Sequence, residues 1–120
     1  MAASKTTSYI VANTSVQAAA TYVSGAINVT SYYGTTVTTQ TVTQASAGTL
    51  PCTITINASP EGTYWFQYQT SAAGVVASTT YPLTFYIDPS ISFYQVQCIG
   101  SSGGGTYVVF SAQAQNIIGI

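Results

Sequence analysis

The stretch CTITINASPEG, residues 52–62, decides the fold class. Three apolar residues in it alternate with three polar ones, namely Cys52, Ile54 and Ile56 with Thr53, Thr55 and Asn57. A period of two is typical of a strand with one face in a core. The residues SPEG at 59–62 then favour a turn, and an aromatic strand is predicted at 64–69. The stretch therefore predicts pleated sheet folded onto an apolar core.

The same alternation continues in both directions along the chain, and no convincing amphipathic helix interrupts it. Turn signals recur about every ten residues, which favours an all-β sandwich of about 7–9 strands, with a barrel as the lesser alternative. The further strands are predicted at 10–22, 26–33, 35–44, 75–79, around Leu83, Phe85 and Ile87, and at 93–99 and 106–115. Asp88 and Pro89 are expected to end the strand before them.

The two cysteines are both predicted to point into the core. Cys52 has the phase of Ile54, and Cys98 has the phase of Val96. A disulfide between Cys52 and Cys98, joining the two sheets, is one interpretation, and it would imply an oxidising compartment outside the cytoplasm. Two buried thiols are the other.

The arrangement Cys52, Trp65, Cys98, with Tyr94 shortly before the second cysteine, resembles an immunoglobulin-type sandwich. The resemblance covers residues 52–115. It implies an immunoglobulin-like β-sandwich, which we place at 23–120, and we interpret residues 1–22 separately as a strand-like N-terminal extension.

The chain has an unusual scarcity of charge. Its 120 residues include one Lys, no Arg, no His and two acidic residues, and 2% of residues are charged, against about a quarter in an ordinary domain. Acid–base catalysis, nucleophile activation and metal ligation need such groups close together. We therefore expect no enzyme, no catalytic residue, no metal and no cofactor, and we interpret Glu61 and Asp88 as turn residues.

Charge and hydropathy also limit the partners. Nucleic-acid binding needs several Lys or Arg, so no nucleic acid is expected, and no apolar run approaches the roughly 20 residues that span a bilayer. A net charge of −1 with 47% hydrophobic residues is poor for a freely soluble monomer. The surface is expected to be covered by glycans or buried in an assembly.

Three N-glycosylation sequons are present, at Asn13, Asn28 and Asn57. Pro60 weakens the third, and a chain rich in Ser and Thr produces one or two sequons by chance. Asn13 and Asn57 fall on the polar phase of their predicted strands. N-linked glycans are therefore a possible partner of this surface, with unmodified asparagines as the alternative.

The segment before Tyr22 is long and alternating, and small to medium side chains lie on its apolar face. It can be an ordinary first strand of its own domain, or a strand that completes the sheet of a neighbouring subunit. We favour donation of this N-terminal segment over donation of the apolar C-terminal one. The predicted donor face consists of Ile10, Ala12, Val16, Ala18 and Ala20.

The whole chain, which is nearly uncharged and rich in Thr, Ser and Tyr, resembles in style the small subunits of archaeal extracellular filaments. In these thread and pilus proteins, donor-strand complementation joins the subunits. The resemblance implies a structural homopolymer in a cell-surface filament, with a role in adhesion among the possibilities. One alternative is a virion coat or fibre protein.

A second alternative is a cell-surface carbohydrate-binding module, because exposed aromatic rings with Gln and Asn nearby can hold sugars without charge. Core or subunit packing is the more ordinary use of such rings. The aromatic residues considered are Tyr32, Tyr33, Tyr64, Trp65 and Tyr107.

Overall fold

The structure is a computed structural model that describes residues 4–17, 20–44, 52–73, 80–100 and 107–119. These residues form two antiparallel sheets and contain no helix that is long and apolar enough to cross a membrane. The strands are β1 Ser4–Gln17, β2 Thr21–Val23, β3 Ile27–Asn28, β4 Thr35–Gln44, β5 Cys52–Ser59, β6 Phe66–Ala73, β7 Thr80–Ile87, β8 Phe93–Ile99 and β9 Tyr107–Gly119. The predicted all-β sandwich is confirmed.

The strand order is that of a jelly roll. Sheet A has the order β1-β9-β4-β7, and sheet B has β2-β8-β5-β6, with the short β3 also paired to β8. Among the described strands, β5 and β6 alone pair with their neighbour in sequence, so the chain crosses repeatedly between the sheets. The immunoglobulin-type order of ABED and CFG that the cysteine and tryptophan pattern suggested differs from this connectivity.

The core lies between the sheets and follows the alternation of the sequence. Ile54 and Ile56 of β5 are fully buried, as are Tyr94 and Val96 of β8. From sheet A, β9 contributes Phe110, whose ring lies 6.1 Å from that of Tyr22 on β2. Burial of each large apolar side chain contributes roughly 1.5–3 kcal/mol, so these inner faces hold the two sheets together.

Strand β4 has an unusual inner face, because it places threonines in the core. Thr35, Thr39 and Thr41 point inward beside Val37, and all four are buried. Thr35 Oγ1 donates a hydrogen bond to Asn116 Oδ1 on β9 at 2.9 Å. Thr39 Oγ1 has no hydrogen-bond partner in the described part of the chain.

The first strand belongs to the sandwich of its own chain. β1 runs antiparallel to β9 from Ser4 opposite Gly119 to Gln17 opposite Tyr107. The predicted boundary between an extension at 1–22 and a domain at 23–120 does not separate two units here, since β1 forms the edge of sheet A. This is the ordinary first-strand alternative, and exchange of the same strand between subunits stays a prediction.

Candidate functional site

The charged side chains gather at one end of the sandwich. Lys5 lies near the start of β1, Glu61 follows β5, and Asp88 follows β7. Strand pairing brings these three positions to the same end of the sandwich. The start of β1 pairs with the end of β9, the end of β9 pairs with the start of β4, and the start of β4 pairs with the end of β7. The loop 88–92 then leads to the start of β8, which lies opposite the end of β5. Apart from Lys5, which has the phase of Thr7 and Tyr9 on β1, the described strands carry no Lys, Arg, His, Asp or Glu.

The same end exposes aromatic rings. Tyr64 is 75% exposed, Tyr33 is 53% exposed and Phe66 is 50% exposed. These three residues, together with the loops 29–34 and 60–65 that carry or adjoin them, are called the aromatic end below. Exposed aromatic rings that gather in one place are typical of contact surfaces.

Local hydrogen bonds fix the conformation of two loops at this end of the sandwich, 60–65 and 88–92. The buried Ser59 Oγ accepts hydrogen bonds from the backbone N–H groups of Glu61 at 3.3 Å and Gly62 at 2.8 Å. The backbone N–H of Ser90 donates to Asp88 Oδ1 at 2.9 Å, and this bond holds the pKa of the Asp88 carboxyl below its usual value. Glu61 and Asp88 therefore occupy turns, as predicted for them.

The outer face of sheet A is a grid of uncharged polar side chains. Pairing across the four strands aligns two rows, of which one is Thr7, Gln115, Thr36 and Tyr86, and the other is Tyr9, Gln113, Thr38 and Thr84. These eight residues define the outer face of sheet A below. Tyr9 is 82% exposed and Tyr86 is 48% exposed, so a tyrosine stands at each edge of the face.

Two adjoining grooves lie on this face over β1, β9 and β4, and neither is lined by Tyr86 or another residue of β7. One has a volume of about 170 Å³ and is lined by Thr7, Thr36 and Gln115 among others. The second, of about 240 Å³, extends past Tyr9 toward Gln40 and Ser111. Both are lined by Thr38 and Gln113, so together they form a continuous depression along the sheet.

The outer face of sheet B differs from this, because its polar side chains bond to one another. Asn57 Nδ2 donates to Gln97 Oε1 at 3.0 Å, and the hydroxyls of Thr55 and Thr70 lie 3.1 Å apart. Four of its polar side chains are therefore bonded in pairs within the sheet.

A third recess opens at the side of the sandwich, between β1 and β3, with a volume of about 220 Å³. Asn116 lines it and donates from Nδ2 to Ser8 Oγ at 3.0 Å. Tyr94 also lines it, and its hydroxyl is buried without a hydrogen-bond partner in the described residues. Burial raises the pKa of the Tyr94 phenol.

The predicted cysteine pair is brought together, within one sheet. Cys98 on β8 lies opposite Ile54 on β5, so a bond to Cys52 would join neighbouring strands of sheet B and not the two sheets. The structure holds both residues as buried thiols. A hydrogen bond from Cys98 lowers the pKa of the Cys52 thiol, and the same bond, with burial, raises the pKa of Cys98. The disulfide itself stays a prediction.

The three sequon asparagines lie in different surroundings. Asn13 is exposed and adopts a positive φ of 27°. Asn28 is also exposed, and its Oδ1 accepts from the backbone N–H and the Oγ1 of Thr30. Asn57 is half-buried, and its amide nitrogen, to which a glycan would be attached, is bonded to Gln97. The structure therefore favours the first two as acceptors, and their occupancy stays a prediction.

The predicted donor face is not a single face. Register shifts between Tyr9 and Val11 and between Val11 and Thr14 rotate β1, so Val11 is buried while Ala12 is exposed. Val16 is buried and Ile10 packs half-buried against the core, as expected, but Ala20 is exposed. Ala18 lies outside the described residues. The alternation alone did not reveal these irregularities.

The aromatic residues considered for sugar binding differ in their exposure. Tyr33 and Tyr64 are exposed, whereas Tyr32 and Trp65 are half-buried. The side chain of Tyr107 is not among those that the structure describes. Sequence reasoning missed Tyr9 and Tyr86, because their place on one face follows from strand order and register, which the alternation of a single strand does not contain.

No model of a known protein family matches this sequence, and no curated protein matches it. Solved structures do match in fold. The PBSX exported protein XepA has a TM-score of 0.63 at 13% identity, over 96% of this chain and 37% of that one. The infectious bursal disease virus Gx strain structure has a TM-score of 0.61 at 19% identity, over 99% and 34%.

A third similar structure is the Yersinia pseudotuberculosis-derived mitogen, with a TM-score of 0.50 and 10% identity over 98% of this chain and 87% of that one. At these identities the similarity concerns the fold alone. This chain spans about a third of the length of the first two proteins. A β-sandwich of this type therefore occurs in proteins of very different size.

Proposed function

We propose that this chain is a structural subunit that associates with copies of itself to build a coat or fibre, exported from the cell or part of a virion. The observation that carries the proposal is the distribution of charge. The ionisable Lys, Glu and Asp side chains are three in number, lie near one end of the sandwich and sum to a net charge of −1, so little electrostatic repulsion keeps copies apart. Regular assembly is one way for such a surface to remain in solution without indiscriminate aggregation.

The fold comparisons support this proposal over the other interpretations. Two of the structures with a similar fold come from particles of infectious bursal disease virus, and another is an exported protein. No comparable likeness to a filament subunit was found among the reported structures. A virion coat or fibre is therefore our first candidate, ahead of a pilus-like filament.

We assign the aromatic end as the contact between copies. Tyr64 and Phe66 expose large rings that a flat neighbour can cover, and burial of such rings contributes most of the energy in many protein interfaces. Because the exposed rings would supply most of the contact and Glu61 is the charged side chain of its loops, salt between about 0.05 and 1 M should change assembly little, whereas a contact made of exposed ion pairs would be screened over that range.

The test is sedimentation and negative-stain electron microscopy of the full-length chain. Regular particles or fibres are expected, together with little change in their amount across that range of salt. Replacing Tyr64 and Phe66 together by Lys should raise the concentration needed for assembly at least tenfold. Gln67→Lys, at an exposed polar neighbour of Phe66, is the matched control and should assemble normally.

Two outcomes would contradict the proposal. A chain that stays monomeric up to its solubility limit is not a coat subunit. If the double lysine variant assembles as well as Gln67→Lys, subunits associate but the aromatic end is not their contact.

Strand donation within a filament is the second candidate, and the position of β1 favours it. β1 is an edge strand, paired along one side to β9, and its pairing is interrupted by register shifts. An edge strand can pair with the β9 of another copy in the same register, so that backbone hydrogen bonds are conserved in number.

A pair of cysteines can distinguish the two arrangements. Thr7 and Gln115 lie opposite each other on the outer face of sheet A. With Thr7→Cys and Gln115→Cys, an oxidised assembly should run as covalently linked multimers on a non-reducing gel if β1 is donated. It should run as a single chain if each β1 pairs with its own β9, and that result would exclude donation.

A further inference from the structure

We propose that the outer face of sheet A binds an extended, uncharged polysaccharide. The proposal goes beyond self-assembly and does not depend on it, since it concerns the sheet face and not the aromatic end. The reasons are the open hydrogen-bonding groups of this face, its two edge tyrosines, its lack of charge and its continuous groove.

Within the described part of the chain, the polar side chains of this face are left without hydrogen-bond partners. Gln113, Gln115, Thr36 and Thr38 make no side-chain hydrogen bond to any described residue, whereas two pairs of side chains on sheet B are bonded to each other. Amide and hydroxyl side chains both donate and accept hydrogen bonds. They therefore suit a ligand whose own groups are hydroxyls, because each sugar hydroxyl also does both.

The tyrosines at the edges provide apolar contact for sugar rings. Tyr9 stands on β1 and Tyr86 on β7, three strand spacings apart, which is about 14 Å across the sheet. Tyr9 is 82% exposed, although tyrosine gains from burying its ring. A ligand that reaches both rings has to be longer than a single sugar, and it would cover the Gln and Thr side chains between them.

The scarcity of charge on this face disfavours the binding of charged polymers. The two rows of the face contain no Lys, Arg, His, Asp or Glu, and the charged side chain beside them on β1 is the exposed Lys5, two residues before Thr7. A polyanion would lose hydration along the whole face and gain one ion pair at most, with Lys5, and a polycation would gain none from the two rows. Nucleic acids and acidic polysaccharides are therefore expected to bind worse than neutral chains.

The groove has the shape that such a ligand needs. The recesses of about 170 and 240 Å³ share Thr38 and Gln113, so the depression continues past a single sugar ring. A flat face would instead favour packing against another sheet. Gln113 lies in the middle of the combined groove and is the residue expected to contribute most hydrogen bonds.

The test is affinity electrophoresis of the full-length chain through gels that contain dextran, amylose, mannan or xyloglucan, with polygalacturonate as the charged control. Titration calorimetry with a hexasaccharide of the retarding polymer then gives the affinity per chain. At least one neutral polymer should retard the protein, and polygalacturonate should not. Tyr9→Ala and Gln113→Ala should each weaken hexasaccharide binding at least fivefold.

The controls are chosen to keep a structural effect separate from a binding effect. Tyr9→Phe retains the ring and should bind within twofold of the unmodified chain, and Gln67→Ala removes an exposed glutamine elsewhere with no expected loss. Unchanged thermal midpoints identify the variants as folded. The proposal is overturned if no neutral polymer retards the folded chain, if polygalacturonate is preferred, or if Tyr9→Ala and Gln113→Ala bind as Gln67→Ala does.

Discussion

At the scale of single residues, the core contains buried polar groups, some of which have a hydrogen-bond partner and some of which have none among the described residues. Thr35 and Thr39 project from the same strand into the same core, and both are almost fully buried. The hydroxyl of Thr35 has a partner in Asn116, whereas that of Thr39 has none among the described residues. A buried hydroxyl without a partner costs free energy, while a satisfied one contributes it. Substitution of the two threonines should therefore have opposite effects.

Thr39→Val should raise the free energy of unfolding by about 1 kcal/mol, because it replaces an unsatisfied hydroxyl by a methyl group of similar size. Thr35→Val should lower it by about 1–3 kcal/mol, because Asn116 Oδ1 would lose its donor inside the core. Urea denaturation of the two variants checks both signs. Destabilisation by Thr39→Val to the same extent would mean that its hydroxyl has a partner in solution.

Tyr94 should make the protein sensitive to alkali. Burial raises the pKa of its phenol in the folded state above the ordinary value near 10, so the unfolded chain loses this proton first. Stability is then fully present below pH 10 and falls as the pH rises further, approaching about 1.4 kcal/mol per pH unit for one proton. Tyr94→Phe should lack this part of the fall. Urea denaturation between pH 9 and 11 measures the difference.

The cysteine pair is predicted to form a disulfide under oxidising conditions. Diagonal partners on neighbouring strands have Cα atoms about 7–8 Å apart, slightly beyond the usual range for a disulfide. Cys52 is the first residue of β5, where a small shift of the backbone can close this gap. Oxidation should then stabilise the fold by up to about 4 kcal/mol. Intact mass after unfolding and alkylation reports the result, and two alkylated cysteines in oxidised protein would contradict it.

At the scale of the elements, the sequence predicts most of the strands and misses their irregularities. Strands 35–44 and 93–99 have the predicted bounds, because strict alternation there coincides with a half-buried strand and ends at clear turn signals. The single strand expected at 10–22 is instead divided into β1 and β2. The strand predicted at 75–79 lies outside the described residues. Register shifts in β1 depend on its partner β9, which local sequence does not specify.

One glycine in these connections is required by close packing. Gly34 precedes β4 with a φ of +135°, and a Cβ atom there would lie 2.7 Å from Tyr86 Oη. Gly34→Ala should lower stability by about 1–3 kcal/mol through backbone strain and displacement of the Tyr86 ring. Gly25→Ala has no atom within 4 Å of the new Cβ and should change stability by less than about 0.5 kcal/mol. Thermal denaturation of the pair tests the contrast.

At the scale of the whole molecule, the order of strands could not be obtained from the sequence. Period-two patterns indicate which residues face a core, but they do not state which strand is the neighbour of which. The pairing of β1 with β9 joins distant parts of the chain, and the outer face of sheet A exists only because four distant segments are placed side by side. The absence of an obvious functional motif in the sequence is consistent with a site made in this way.

Assembly should be nearly independent of pH between about 5 and 8. The chain has no histidine, which is the side chain that ordinarily titrates in this interval, and a hydrogen bond keeps the pKa of Asp88 below its usual value. Few protons can therefore be gained or lost when copies associate. Light scattering across this interval should give a flat profile, and sharp dissociation anywhere within it would refute the expectation.

The pairing of β1 with β9 also has a consequence for biosynthesis. A ribosome makes β1 well before β9, and at about 5–20 residues per second the first strand waits for roughly 5–20 s for its partner in the same chain. During this delay β1 is also open to the β9 of a copy completed just ahead of it on the same messenger RNA, before that β9 has paired with its own β1. Crowding of nascent chains would then influence how often β1 is exchanged between copies. Slower translation of the segment between β1 and β9 would make this exchange more frequent.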